Sequence, residues 1–232
     1  MALVNEARKV CRMPIKLSFR DVCFDVRVQN PAAEAAQTGE KYSRRLIVDA
    51  ATGVCLPGQT TFIMGASGAG KTSLLNILSD RVPIPPEGKL SGTILFNDAI
   101  PVNARSFARY AAYVQQDDIL FARFTVREAL RFAARLKLRI PVAEQHARVE
   151  AIIRDLGLLP DAEKQIGDAY RRVLNFGARK RTSIGIELIS DPSVIMLDEP
   201  TSGMDSFRAR EIVKLLRELA RKKGKTVCST IH

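Results

Sequence analysis

The residues whose types and spacing most clearly carry chemistry are Gly65-Ala66-Ser67-Gly68-Ala69-Gly70-Lys71-Thr72, which satisfy G-x-x-x-x-G-K-[ST]. Glycines in such a run allow positive φ and let backbone N–H groups approach phosphate oxygens. A helix that begins there points the positive end of its dipole at the same anion. In this pattern Lys71 bridges the β- and γ-phosphates, the Thr72 hydroxyl ligates Mg²⁺, and Ser73 follows at the cofactor-binding edge. A chance match in a chain of this length is expected only about 1% of the time from average residue usage.

A second constellation lies far along the chain. Val194-Ile195-Met196-Leu197 is an apolar run that ends in Asp198-Glu199. A buried parallel strand would deliver these acids to its carboxyl end, where ligands bind in open α/β sheets. Asp198 would hold Mg²⁺, and Glu199 would accept a proton from an attacking water. Alone, an acid pair after a strand is an ordinary turn; beside a phosphate loop it gains a role.

The elements that must position these residues follow from periodicity and punctuation. Residues 15–28 alternate apolar and polar and predict an edge strand; a polar, Ala-rich loop covers about 29–44. Residues 46–50 and 54–56 predict a short strand pair, and Thr60 to Met64 a strand that runs into Gly65. A helix from Lys71 to about Asp80 has Leu74, Leu75 and Leu78 at helical spacing, and Pro83-Ile84-Pro85-Pro86 stops it. Strands are predicted at 90–96 and 111–115. Residues 125–138 open on a capping box, Thr125 with Glu128, and 142–156 place Val149, Ile152, Ile153 and Leu156 on one face. A third helix begins near Gly177. Strand 194–197, helix 206–223 and strand 226–231 close the chain. The order is mixed β, a phosphate-loop βα unit, a helical insertion at about 117–190, then βαβ, which predicts an α/β phosphate-loop fold with an antiparallel β part.

Composition bounds the alternatives. The chain has 232 residues, a net charge of +11, 6% aromatic residues and no Trp. Its basic residues are spread along the chain, and the clusters Arg179-Lys180-Arg181 and Arg221-Lys222-Lys223 have no interleaved aromatics, which argues against a nucleic-acid partner. Cys11, Cys23, Cys55 and Cys228 have neither metal-site nor disulfide-framework spacing. No apolar run has the length of a bilayer span, the N-terminus lacks the apolar stretch of a signal peptide, and Ala2 rules out N-myristoylation. A membrane role is therefore expected to come from sequence outside this chain or from a partner.

The whole pattern resembles the ABC ATPases: the phosphate loop at 65–72, Leu197-Asp198-Glu199-Pro200-Thr201, then Ser202-Gly203-Met204-Asp205, and His232 after a strand. The 126 residues between Lys71 and Asp198 match the helical subdomain that such domains insert there. Tyr113-Val114-Gln115-Gln116-Asp117-Asp118, Thr125-Val126-Arg127-Glu128 and Arg179 to Ile189 are similar to the white-type, or G, subfamily. The resemblance implies ATP and Mg²⁺ as cofactors, Gln116 as the Q-loop glutamine that touches Mg²⁺, Asp205 at a dimer seam, and His232 as the switch histidine on the γ-phosphate. It implies one half of a transporter on the cytosolic face of a membrane, with a membrane domain beyond residue 232, a second half-transporter as partner, and a lipid, sterol or drug-like substrate. A soluble ABC ATPase and an ATP-binding regulatory half with weak hydrolysis are the alternatives.

One stretch departs from the family. The signature that binds the opposite protomer's γ-phosphate resembles L/V-S-G-G-E/Q, and here it reads Leu174-Asn175-Phe176-Gly177-Ala178. Asn175 can still cap a helix, Gly177 is retained, Phe176 replaces a glycine, and Ala178 removes a polar side chain. The adenine-stacking aromatic is also displaced: the aligned position is Val26, with Phe24 and Tyr42 nearby.

Overall fold

A computed structural model describes residues 13–29, 42–167 and 173–231. His232 and Cys11 lie outside the described residues. The strands are β1 (Leu17–Gln29), β2 (Tyr42–Cys55), β3 (Thr60–Met64), β4 (Lys89–Phe96), β5 (Ile100–Pro101), β6 (Ala111–Val114), β7 (Val194–Leu197) and β8 (Thr226–Ile231). The helices are α1 (Lys71–Leu78), α2 (Ala104–Tyr110), α3 (Val126–Lys137), α4 (Val142–Asp155), α5 (Phe176–Leu188) and α6 (Ser206–Lys223).

The strands divide between two sheets, one antiparallel in the order β2-β1-β4-β5 and one parallel in the order β3-β8-β7-β6. β1 is therefore an inner strand, paired on both sides, and not the edge strand its alternation predicts. Alternation reports one face on the core and one toward water, which inner antiparallel strands share with edges. The two short strands expected at 46–50 and 54–56 are one continuous strand, β2. Its register against β1 shifts around Val22 and Phe24, and Asp21 and Ala50 take positive φ there. Those irregularities bend a long strand and break its apolar pattern without ending its pairing.

The parallel sheet is the platform for the site. All four residues of β7 are fully buried, as expected of a strand covered on both faces. α3, α4, α5 and α6 contribute Leu130, Val149, Ile153, Ile184, Ile212 and Leu216 to one apolar core with Ile195 and Leu197 of that strand. Its other side, through Val194 and Met196, joins Leu17, Leu75, Leu78 and Phe96 in a second core between the sheets.

Local signals explain most helix starts. Thr125 accepts from the Glu128 N–H while the Glu128 carboxylate accepts from the Thr125 N–H, the expected capping box of α3. α2 is an unpredicted helix; its capping box of Asn103 and Ser106 was the available signal. Val149, Ile152, Ile153 and Leu156 are all buried, as the periodicity of α4 requires. Cys55 and Cys228 are buried and Cys23 half-buried, all three unbridged.

Candidate active site

β3 ends where the phosphate loop begins, and α1 starts at Lys71, so residues 65–70 join a strand end to a helix start. Gly68 and Gly70 both have positive φ, and Gly70 is the N-cap of α1. A Cβ on Gly70 would lie 2.7 Å from the Ile47 carbonyl oxygen, so both backbone shape and space require glycine here. Residues 65 to 69 are exposed, which leaves this turn of backbone open to a ligand. Lys71 is buried; its ammonium donates to the Ala66 carbonyl at 3.0 Å and lies 3.8 Å from Glu199 Oε1. Ser73 follows in the first turn of α1, half-buried.

The acids arrive from β7. Asp198 and Glu199 are buried at the carboxyl end of the parallel sheet. The Thr72 hydroxyl donates to Asp198 Oδ1 at 3.0 Å, bridging 126 positions of sequence. Glu199 has a φ of 40°, an uncommon backbone conformation for a non-glycine residue. Gln116, in the segment after β6, donates from Nε2 to Glu199 Oε2 at 3.2 Å. Three separate segments thus bring Lys71, Thr72, Gln116, Asp198 and Glu199 to one mouth.

Two supporting contacts had no sequence signal strong enough to single them out. Thr230, buried on β8, donates to Asp198 Oδ1 at 2.7 Å and accepts from the Glu199 N–H at 2.8 Å. Tyr113, on β6, donates its hydroxyl to Asn76 Oδ1 of α1 at 2.7 Å, and the Arg81 guanidinium sits 4.8 Å from its ring centre. Burial first, and then the nearby Asp198 carboxylate, push the Tyr113 phenol well above its usual range, so it stays a protonated donor.

The donor set suits a hard cation. Thr72, Asp198 and the Gln116 side chain offer oxygen, and among the described residues no group of three His, Cys, Asp or Glu converges as a softer metal site would require. Mg²⁺ is commonly held this way, through one or two carboxylates, waters and the phosphates themselves.

The remaining expected residues stand apart and serve their own helices. Asn175 caps α5, its Oδ1 accepting from the Ala178 N–H at 2.8 Å. Gly177 is buried in the first turn of α5, and Phe176 beside it is 43% exposed. Ala178 is fully buried, so its departure from the family pattern is a packing feature: a carboxylate there would be taken out of water. Asp205 caps α6; chiefly the Arg208 N–H, at 3.0 Å, holds its carboxyl below the usual range. Phe24 is buried in the antiparallel sheet's core with Val22, Val48 and Ile77, which removes it as a base-stacking candidate, while the exposed Tyr42 lies under the Arg27 guanidinium at 5.2 Å.

A family model described as ABC transporter matches residues 49–202. The chain is 44% identical over 199 residues to ABC transporter G family member 24 of Dictyostelium discoideum, covering 84% of this chain and 17% of that protein. It is 38% identical over 229 residues to ABC transporter G family member 19 of Arabidopsis thaliana, covering 98% and 30%. It is 40% identical over 219 residues to the broad substrate specificity ATP-binding cassette transporter ABCG2 of Sus scrofa, covering 93% and 32%. The chain spans a third or less of the length of these relatives. A phosphate loop closed by a strand-borne acid pair, matched along most of its length to these proteins, makes this chain an ATP-binding member of the ABC transporter family, similar to its G members.

Proposed function

We propose that the chain hydrolyses ATP to drive export of a lipid, sterol or drug-like substrate, as the nucleotide-binding domain of an ABC half-transporter. The observation that carries this reading is the convergence of Lys71, Thr72, Gln116, Asp198 and Glu199 at the open phosphate loop.

The amides of residues 65–70, with Lys71, Thr72 and Ser73 at the head of α1, bind the β- and γ-phosphates. Thr72, Asp198 and Gln116 hold Mg²⁺, which when bound neutralises charge that develops on the phosphate oxygens. Glu199 orients a water in line with the γ-phosphate and takes its proton, so that the water oxygen bonds phosphorus as the bond to the leaving ADP oxygen breaks. Gln116 and Lys71 flank that carboxylate and keep it facing the phosphates. His232, the residue after Ile231 in the sequence, steadies the γ-phosphate.

Two such domains pack head to tail, so that Asn175 and Gly177 of one face the γ-phosphate held by the other and Asp205 lies at the seam. Residues 117–190 form the helical subdomain. A membrane domain of the same polypeptide docks on it from the membrane side, with this domain on the cytosolic face. Ile119 and Phe121, exposed at 79% and 62% just after the Gln116 segment, support an apolar partner there. Among the described residues no helix is long and apolar enough to cross a membrane.

A second reading rests on Phe176. A half-exposed phenyl ring in the first turn of α5 obstructs a phosphate approach that glycine permits. In that case the chain works in a heterodimer, its own phosphate loop served by a partner's intact signature, while its signature faces a slow site. ATP turnover by the purified full-length protein alone separates the two: normal, Glu199-dependent turnover supports the homodimer, and near silence supports the heterodimer.

A further inference from the structure

α5 carries one charged side chain with almost no access to solvent. The side chain of Lys180 is 4% exposed and its ammonium lies 2.7 Å from Asp118 Oδ1, itself on a side chain only 12% exposed. The same ammonium donates to the backbone carbonyls of Gln115 at 3.3 Å and Gln116 at 2.8 Å. The ammonium thus donates to two carbonyl oxygens and sets its charge against a carboxylate. A buried ammonium is strongly unfavourable unless such partners replace its water. All three belong to one short segment, residues 115–118, and the middle of that segment is Gln116.

The placement links two places that are far apart in sequence. Gln116 reaches Glu199 with its side chain while its carbonyl is held by Lys180. Lys180 stands five residues after Asn175, the N-cap of the same helix, and one and two turns further on the same face Ile184 and Leu188 pack into the apolar core. The apolar core does not anchor the segment there, since Gln115, Gln116 and Asp117 are exposed. Arginine in place of Lys180 would not reproduce the contact, because a planar fork cannot direct donors at three oxygens clustered around one nitrogen.

We propose that Lys180 is a positioning residue for the hydrolytic step: it clamps the 115–118 segment to α5, so that Gln116 meets Glu199 and the segment and the signature helix move as one body. A state change at Glu199 in one nucleotide site is thereby passed to the helix end that faces the other. The clamp rests on the proposed roles of Gln116 and Glu199.

The test is a double-variant cycle on ATP turnover by the full-length protein, comparing wild type, Lys180→Met, Gln116→Ala and the pair. Lys180→Met is expected to lower kcat about tenfold or more through misplacement, with KM for ATP little changed. Because it acts through Gln116, the pair is expected to be no slower than Gln116→Ala alone to within about twofold. Effects that multiply, or a raised KM with kcat intact, overturn the clamp while leaving the role of Gln116 standing. Gln116→Ala at the wild-type rate overturns the parent reading and the clamp together. Should Lys180→Met fail to fold, Asp118→Asn, which keeps the volume and removes the charge pair, carries the same cycle: sub-additive with Gln116→Ala supports the clamp, multiplicative overturns it.

Discussion

The hydroxyl of Thr230 donates to Asp198 Oδ1 at 2.7 Å and at the same time receives the Glu199 N–H at 2.8 Å. One small side chain on β8 therefore sets both acids of the neighbouring strand, and it lies two residues before His232. Replacing Thr230 by valine keeps the shape, removes the acceptor that meets the buried Glu199 N–H and takes a donor from the Asp198 carboxylate. Such losses are worth about 1–3 kcal/mol, and ATP turnover is expected to fall about tenfold or more, with nucleotide binding retained. Turnover beside a nucleotide-binding isotherm checks it; unchanged kcat would remove Thr230 from the site.

Glu199→Gln is expected to bind ATP and leave hydrolysis about 10²- to 10⁴-fold slower, the range typical for losing a positioned base. The amide can still accept from Gln116 but cannot take a proton. Retained ATP after a single turnover, measured with labelled nucleotide, is the readout. Hydrolysis at the wild-type rate would mean another group is the base.

The signature is tested by Asn175→Ser with Phe176→Gly, leaving the buried Ala178 untouched. If Phe176 obstructs the opposite site, the repaired full-length protein hydrolyses ATP faster than wild type. If wild type is already active and the repair changes nothing, the departure is tolerated and two identical chains suffice.

Gly185 marks the point where α3, α4 and α5 meet. A Cβ there would stand 3.0 Å from Leu130 Cδ2 and Leu156 Cδ1 and 3.3 Å from Ile152 Cγ2. Gly185→Val should overpack this junction and destabilise the protein by about 1–3 kcal/mol, lowering Tm by about 2–12 °C. A melting curve at or above wild type would show that the junction has slack.

Much of this was legible in the residues. The phosphate loop, β7, β8, α3, α4 and α6 each carry a local signature: glycine spacing, an all-apolar run, a capping box, or apolar residues three and four apart. The inner position of β1 and the continuity of β2 were not legible, because alternation is the same in inner and edge strands and a bulge looks like a turn. α2 escaped for want of length, having seven residues. The supporting residues of the site, Thr230, Tyr113, Asn76 and Lys180, look like ordinary strand and helix residues until their partners are known.

The sequence by itself determined that a glycine-rich turn at residues 65–70 would join a strand to a helix starting at Lys71, and that Asp198 and Glu199 would follow a buried strand, since both depend on neighbours within a few residues. It also carried the departure at 174–178. Only the tertiary structure decided that Thr72 meets Asp198 across 126 positions, that Gln116 meets Glu199, and that Lys180 buries its charge against the segment holding Gln116. Those contacts depend on strand order in the parallel sheet and on helices packed from distant parts of the chain, and local periodicity holds no record of either.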